Sequence, residues 1–266
     1  MAYIFVIGKT LPEVWENSVV QCWNKGDAFR TEYDKPTDPA SKDCTALLVV
    51  EEPFAEPRIH RAFPGGLDDL EIYRQEVVNG VRDHWISPEE GKWSYTYHQR
   101  LRAYEIDGKR VDQIQYVIDK LSETPHSRRA QATTWNPSVD PTVDDPACLQ
   151  RMWFRIDDKD RLNLQVSIRS NDAFKAAFMN MFAFTELQKE VAAAISERTG
   201  TETSVGEYVH FANSYHIYGS YFDQFEGFLR TLKERSFDER VWDSTSELVQ
   251  EQFEYGKRRL TDEKAG

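Results

Sequence analysis

The chain has 266 residues, and its 45 Asp and Glu against 33 Lys and Arg leave a net charge of −12. That balance excludes a nucleic-acid binder working through one broad basic face. With 40% hydrophobic residues and only 13 Gly and 11 Pro, it is the composition of a folded protein with a sizeable core, neither disordered nor fibrous.

The apolar run from Tyr3 to Ile7 reads as a short strand. It has no basic flank and is too short for a signal peptide or membrane span, and no later stretch approaches about 20 apolar residues. Cys22, Cys44 and Cys148 are odd in number and scattered, which fits neither a disulfide framework nor a zinc site. A reduced, cytoplasmic protein is the expectation.

Thr10 and Glu13 have capping-box spacing, with Pro12 in the first turn, so a helix follows to about Trp23. Residues 26–44 are polar and broken by Pro36 and Pro39, hence loop. Thr45 to Val50 reads as a buried strand, and Pro53, Pro57 and Pro64 punctuate what comes next. Leu70, Tyr73, Val77 and Val81 recur at helical spacing, which predicts a helix over Leu67 to Arg82, and Val111 to Ser122 reads as another. Ala130 to Trp135, Leu149 to Ile156 and Leu162 to Ile168 read as strands, the last two joined by a polar turn at residues 157–160.

The longest helical pattern runs from about Asp172 to Arg198 and stops at Gly200. Its first half is apolar nearly all round, which places it in the core. A strand over Gly206 to Ile217 and a helix over Tyr221 to Glu234 follow, and the charged tail from Lys257 is expected to fray. One α+β domain over residues 1–266 is the architecture expected, a mixed twisted sheet with helices around a long buried helix.

Four segments are polar where the flanking pattern calls for burial. Arg128 and Arg129 precede a strand, and alone they are an ordinary solvated pair. Cys148 stands at the threshold of an apolar strand, where a lone cysteine is more often a small hydrophobe than a nucleophile, although a nearby arginine would lower its pKa. Arg169 and Ser170 end a strand before the core helix, where exposed N–H groups favour an anion, and the plain alternative is that Ser170 or Asp172 caps that helix. His216 and Tyr218 share one face by strand alternation, and a pair bonded to the backbone is the plain alternative.

Taken in order, Val111-Asp-Gln-Ile114, Ser127-Arg-Arg129, Trp135-Asn-Pro137, Pro146-Ala-Cys148, Arg169-Ser-Asn-Asp172, Asn180 and His216-Ile-Tyr218 resemble the thymidylate synthase family. Tyr95-Thr-Tyr97 and Arg102-Ala-Tyr104 look like that family's active-site tyrosine segment. The resemblance covers about residues 91–220. It implies the thymidylate synthase fold and a homodimer with shared active sites, acting on a nucleotide and on 5,10-methylenetetrahydrofolate.

The resemblance also implies roles. Cys148 adds as thiolate to C6 of a pyrimidine nucleotide, making C5 a carbon nucleophile toward the one-carbon unit. Arg169 and Ser170, with Arg128 and Arg129 reaching from the partner subunit, hold the 5′-phosphate, and Arg30 is the nearest fit for a further phosphate arginine. Asn180 reads the N3/C4 edge of the base, His216 and Tyr218 the ribose 3′-hydroxyl, and Asp172 the pterin. Tyr97 serves the proton relay at C5. A glutamate near C4 comes from an early helix, where Glu71 and Glu76 are the candidates and Glu71 is preferred.

Three departures distinguish the chain within this resemblance. Leu149 follows the cysteine where thymidylate makers carry histidine, Ala176 replaces the glycine under the sugar, and residues 260–266 are polar where an apolar segment normally covers the folate. A polar, less closed site favours water over hydride as the group that quenches the C5 methylene. The chain therefore looks most like the CMP 5-hydroxymethylases of nucleoside-antibiotic biosynthesis, of the mildiomycin type, with Ala176 shaping a pocket floor that admits a 2′-hydroxyl. Asn180 speaks for uracil, since relatives acting on cytosine commonly carry Asp, yet an amide can turn to suit either base. Methylation of dUMP or UMP is the first alternative, and a non-catalytic nucleotide- or RNA-binding relative the second.

Overall fold

The computed structural model describes residues 1–265. In chain order the elements are β1 (Ala2–Gly8), α1 (Leu11–Lys25), β2 (Asp27–Phe29), β3 (Ser41–Val50), β4 (Ile59–His60), α2 (Leu67–Asn79), α3 (Tyr97–Arg102), β5 (Tyr104–Ile106), β6 (Lys109–Val111), α4 (Gln113–Glu123), β7 (Gln131–Thr133), β8 (Leu149–Ile156), β9 (Arg161–Asp172), α5 (Ala177–Thr199), β10 (Ser204–Ile217), α6 (Phe222–Glu234), β11 (Val241–Trp242) and α7 (Glu247–Ala265). The α+β expectation holds. Among the described residues no helix is long and apolar enough to cross a membrane.

Seven strands form one mixed sheet in the order β1-β3-β10-β9-β8-β7, with β2 also paired to β3. β1 runs parallel to β3 and β9 parallel to β10, while β3 with β10 and β8 with β9 are antiparallel. Period-2 alternation divides the side chains between two faces. Ile4, Val6, Ala46, Leu48, Phe154 and Leu164 lie under the helices. On the opposite face Tyr3, Phe5, Ile7 and Leu47 remain exposed.

The core centres on α1 and α5. Trp15 of α1 is fully buried, donates its indole N–H to the Ala173 carbonyl at 2.9 Å, and packs against Phe174, Phe178 and Phe228. Each large apolar side chain buried in this way contributes about 1.5–3 kcal/mol. α5 is buried along most of its length, from Ala177 through Phe178, Met181, Phe182 and Phe184 to Ile195, as its all-round apolar pattern predicts.

Several boundaries differ from the sequence reading. The stretch expected as loop over 26–44 contains β2 and the first turns of β3, because Asp27, Ala28 and Phe29 pair with Asp43, Lys42 and Ser41. The core helix starts at Ala177 and not at Asp172, since Asn171 and Asp172 are still in the ladder opposite Tyr215 and His216. α2 stops three residues early, where Gly80 takes a left-handed conformation (φ 64°) that suits glycine at a helix end. The tail expected to fray is the second half of α7. Val249, Phe253 and Leu260 bury one stripe of that helix, and Arg259 pairs with Asp68 and Asp69 at the start of α2. Gly266 lies outside the described residues.

Candidate active site

Cys148 sits half-buried immediately before β8, and the loop carrying it is held by Arg169 at the end of β9. The Arg169 guanidinium donates to the carbonyls of Pro146 (2.5 Å) and Ala147 (3.2 Å), and the Arg169 backbone N–H donates to the Cys148 carbonyl at 2.9 Å. Asp145 lies 3.9 Å from the same guanidinium. Burial pushes the Cys148 thiol up, Arg169 works against that, and Asp145 adds to it. The cation expected beside the sulfur is therefore present, but in the free protein desolvation outweighs it and the thiol is held protonated.

Three tyrosines surround the sulfur. Tyr97, the first residue of α3, accepts from the Leu149 backbone N–H at 3.2 Å, so its hydroxyl lies against the strand that starts one residue after the nucleophile. Tyr73 of α2 and Tyr95 complete the group. Burial first, then nearby charge (Glu76 beside Tyr73, Cys148 and Asp145 beside Tyr95, the other two tyrosines beside Tyr97), holds these phenols above their ordinary value. All three hydroxyls stay protonated and can donate.

These tyrosines open onto a cavity of about 670 Å³, the size range of small-molecule sites. Its wall includes Glu76, Trp93, Tyr95, Tyr97 and, from the loop before Cys148, Asp144 and Asp145. Of the two early glutamates, Glu76 lines this cavity and Glu71 does not. Glu71 is fully buried and taken up by Arg74 (2.6 and 2.7 Å) and Gln75 (2.8 Å), on the side of α2 turned from the cavity. Glu76 faces the cavity. Burial raises it from the ordinary 4.5 to about 6, with Arg82, 3.6 Å away, pulling the other way. Five residues on a helix turn a side chain by about 140°, which is why one glutamate is a structural anchor and the other borders the cleft.

On the far side of Cys148 lie the groups expected to hold a nucleotide. Ser170 follows Arg169 on β9 and pairs with Ser214 of β10. His216 is buried, shares a hydrogen bond with Ser214 through Nδ1 (3.0 Å), and burial lowers it to about 4, so it is neutral at physiological pH. Tyr218 lies one residue beyond β10 and not within it, yet its ring meets His216 edge-on at 4.6 Å. Asp172 accepts from the backbone N–H groups of Phe174 (3.0 Å) and Lys175 (2.8 Å), and burial raises it. Asn180 is buried in the first turn of α5, its N–H bonded to the Ala176 carbonyl at 3.0 Å, so the expected base reader and the expected pocket-floor residue are one turn apart.

Three arginines stand apart from this cluster. Arg30 is exposed after β2 and donates to the Lys35 carbonyl at 3.3 Å, in a loop whose Tyr33 feels the charges of Asp145 and Arg169. Arg128 and Arg129 are exposed between α4 and β7, with Lys120 and His126 beside them. Within one chain they do not reach the Cys148 cleft. Sequence reading missed Tyr73, Arg82, Trp93 and Asp144. Only Tyr73 carried a usable signal, its i, i+3 spacing from Glu76 on one helix face.

The cavity suits a folate as well as a nucleotide. Trp93 and Tyr95 supply flat aromatic wall, whereas Asp172, whose carboxylate accepts from the Phe174 and Lys175 N–H groups, is not among the residues lining this cavity. A thiol beside an arginine-held loop, an acid tuned near neutrality and buried phenols suit covalent addition with proton transfer.

Comparison with known proteins agrees with this chemistry. The family model described as thymidylate synthase matches residues 11–254. A Methanosarcina mazei protein named "Putative thymidylate synthase" is 30% identical over 226 residues, covering 84% of this chain and 94% of its own. The thymidylate synthase of Leuconostoc mesenteroides is 29% identical over 216 residues, covering 79% of this chain and 59% of its own. The solved thermostable thymidylate synthase A of Bacillus subtilis superposes with a TM-score of 0.64 at 19% identity, over 84% of each chain. The chain belongs to the thymidylate synthase family, whose members draw a one-carbon unit from 5,10-methylenetetrahydrofolate.

Proposed function

We propose that the protein transfers one carbon to C5 of a pyrimidine nucleotide, CMP in the first instance, and completes the reaction with water to give a 5-hydroxymethyl product. Bound in the cavity, 5,10-methylenetetrahydrofolate supplies the one-carbon unit. Arg169 and Ser170 hold the phosphate, which places the base over Cys148. Cys148 loses its proton to water and adds to C6 as the thiolate, Asn180 holds the N3/C4 edge as charge develops there, and after water has added at the carbon unit on C5 the C6–S bond breaks and frees the sulfur. Tyr97 and Glu76 move protons at C5 and at the C4 edge, His216 and Tyr218 orient the sugar, and Asp172 orients the pterin.

The observation that carries the water step is the polarity of the cavity on two sides. Asp144 and Asp145 line one wall, and Glu76 lies on the other with Arg82 behind it, itself paired at 3.2 Å with Glu263 of α7. Such a site retains water beside the reacting carbon, where hydride transfer needs water excluded. Methylation of dUMP or UMP is the second reading, favoured by the Asn180 amide and by the names of the relatives. Mass spectrometry of products from CMP, dCMP, UMP and dUMP, with absorbance read for dihydrofolate, separates them. The expected result is a 5-hydroxymethyl nucleotide with no dihydrofolate, and dihydrofolate formed in step with product would make the protein a methylating synthase.

A homodimer with shared sites is part of the proposal. The open sheet face carries Tyr3, Phe5, Ile7 and Leu47, with Phe211 opposite Leu47, an apolar patch of the kind that marks an interface. Trp153 on β8 donates its indole N–H to the Arg128 carbonyl at 3.1 Å, which ties the arginine segment to the far end of the sheet. Mixed and allowed to exchange subunits, inactive Cys148→Ser and Arg128→Ala proteins should regain activity through dimers holding one intact site. A monomer fully active at low concentration would contradict this.

A further inference from the structure

Asn180 is the one side chain expected to tell cytosine from uracil, and an amide is ambiguous in that task. Cytosine offers a 4-amino donor beside an N3 acceptor, and uracil the reverse, so an amide reads either base by turning half a revolution. What holds the amide still therefore decides the base. The Tyr73 hydroxyl donates to Asn180 Oδ1 at 2.5 Å, a short contact for an O–H···O bond. Tyr73 stands on α2, which packs against α5, and its ring lines the same cavity as Glu76, Tyr95 and Tyr97.

We propose that Tyr73 is a positioning residue that determines base specificity, pinning the Asn180 amide with Oδ1 toward the phenol so that only one pyrimidine edge is matched. With Oδ1 held there, a half-turn would replace the O–H···O bond by an N–H···O bond to the phenolic oxygen, for which a separation of 2.5 Å is too short, so the flipped amide is disfavoured. The second lone pair of Oδ1 remains for a base donor, and Nδ2 remains to donate to a base acceptor. This rests on the reading that Asn180 contacts the N3/C4 edge, and under the CMP assignment the pinned amide takes the 4-amino group at Oδ1 and serves N3 from Nδ2. Burial keeps the phenol protonated well beyond any working pH, so the pin does not titrate away.

The test is Tyr73→Phe, which removes one oxygen and keeps the ring. Selectivity is read as the ratio of kcat/KM for CMP and UMP, and as the ratio of their Kd values by calorimetry. The ratio should fall about tenfold, equivalent to about 1.4 kcal/mol, through a gain for UMP as well as a loss for CMP. In an Asn180→Ala background, where Kd values alone are compared, Tyr73→Phe should change the ratio no further, because the phenol acts through the amide. An unchanged ratio in the single variant, or an equal fall in the Asn180→Ala background, overturns the role of Tyr73. A parent that prefers UMP and loses that preference in Tyr73→Phe supports the pin with the base reversed. A parent that binds none of CMP, dCMP, UMP and dUMP removes the reading beneath it, a result distinct from failure of the pin.

Discussion

Cys148→Ser is expected to lower turnover on the order of 10⁴-fold or more while nucleotide affinity stays within a few fold. The separation follows from geometry. Phosphate, sugar and base are assigned to Arg169, Ser170, His216, Tyr218 and Asn180, none of which depends on the sulfur, whereas no other thiol can reach C6. Cys22 and Cys44 are fully buried, and each donates to the Tyr215 carbonyl (3.2 and 3.6 Å), so they serve the core under β10. Changing either to Ala should cost stability and leave kcat near that of the parent. Calorimetry of nucleotide binding with steady-state rates checks both statements. Retained activity in Cys148→Ser, or an equal loss of kcat on changing Cys22, would remove the nucleophile assignment.

Glu76→Gln should lower kcat by about 10²–10⁴-fold, the usual worth of a positioned acid-base group, while Glu71→Gln should act on stability. Burial raises Glu76 to about 6, so as a base it is charged only above that pH, and kcat/KM should climb as pH rises through about 6. That acidic limb should vanish in Glu76→Gln. Linkage adds a second signature. Folding favours the protonated form, so the native state is penalised as pH rises from the ordinary 4.5 to beyond about 6, by about 2 kcal/mol for a shift of that size. Glu76→Gln should therefore melt a few degrees higher than the parent at pH 8 and near it at pH 4. A pH-independent kcat/KM in the parent, or a lower melting temperature for Glu76→Gln at pH 8, would return the acid-base role to another group.

The sequence disclosed the parts of this molecule that are locally encoded. The Glu13 half of the capping box with Thr10 forms, its carboxylate accepting from Thr10 N–H at 3.4 Å and from the preceding Lys9 N–H at 2.8 Å, and the all-round apolar pattern of residues 177–195 marks the buried helix. Polar strand ends were harder. Ser41 to Cys44 and Asn171 to Asp172 are in the sheet because neighbouring strands pair with them, and nothing in their own composition says so. α7 was legible in principle through Val249, Phe253 and Leu260, but its charges concealed a narrow buried stripe. In the site, it was the family resemblance carried by Cys148, Arg169, Asn180 and His216 together that implied one cleft, since each alone had a plain structural explanation. The choice between Glu71 and Glu76 turned on which side of α2 faced the cavity, and the Tyr73 bond to Asn180 joins residues 107 apart, so only the fold could reveal them.

Release of tritium from 5-tritiated CMP tests most directly the claim that this site does chemistry at C5 of a pyrimidine nucleotide. With 5,10-methylenetetrahydrofolate present, label should pass to water one for one with 5-hydroxymethyl product, and Cys148→Ser should release none. Label retained on the nucleotide by the parent protein, under conditions where that nucleotide and the folate both bind, would contradict the assignment.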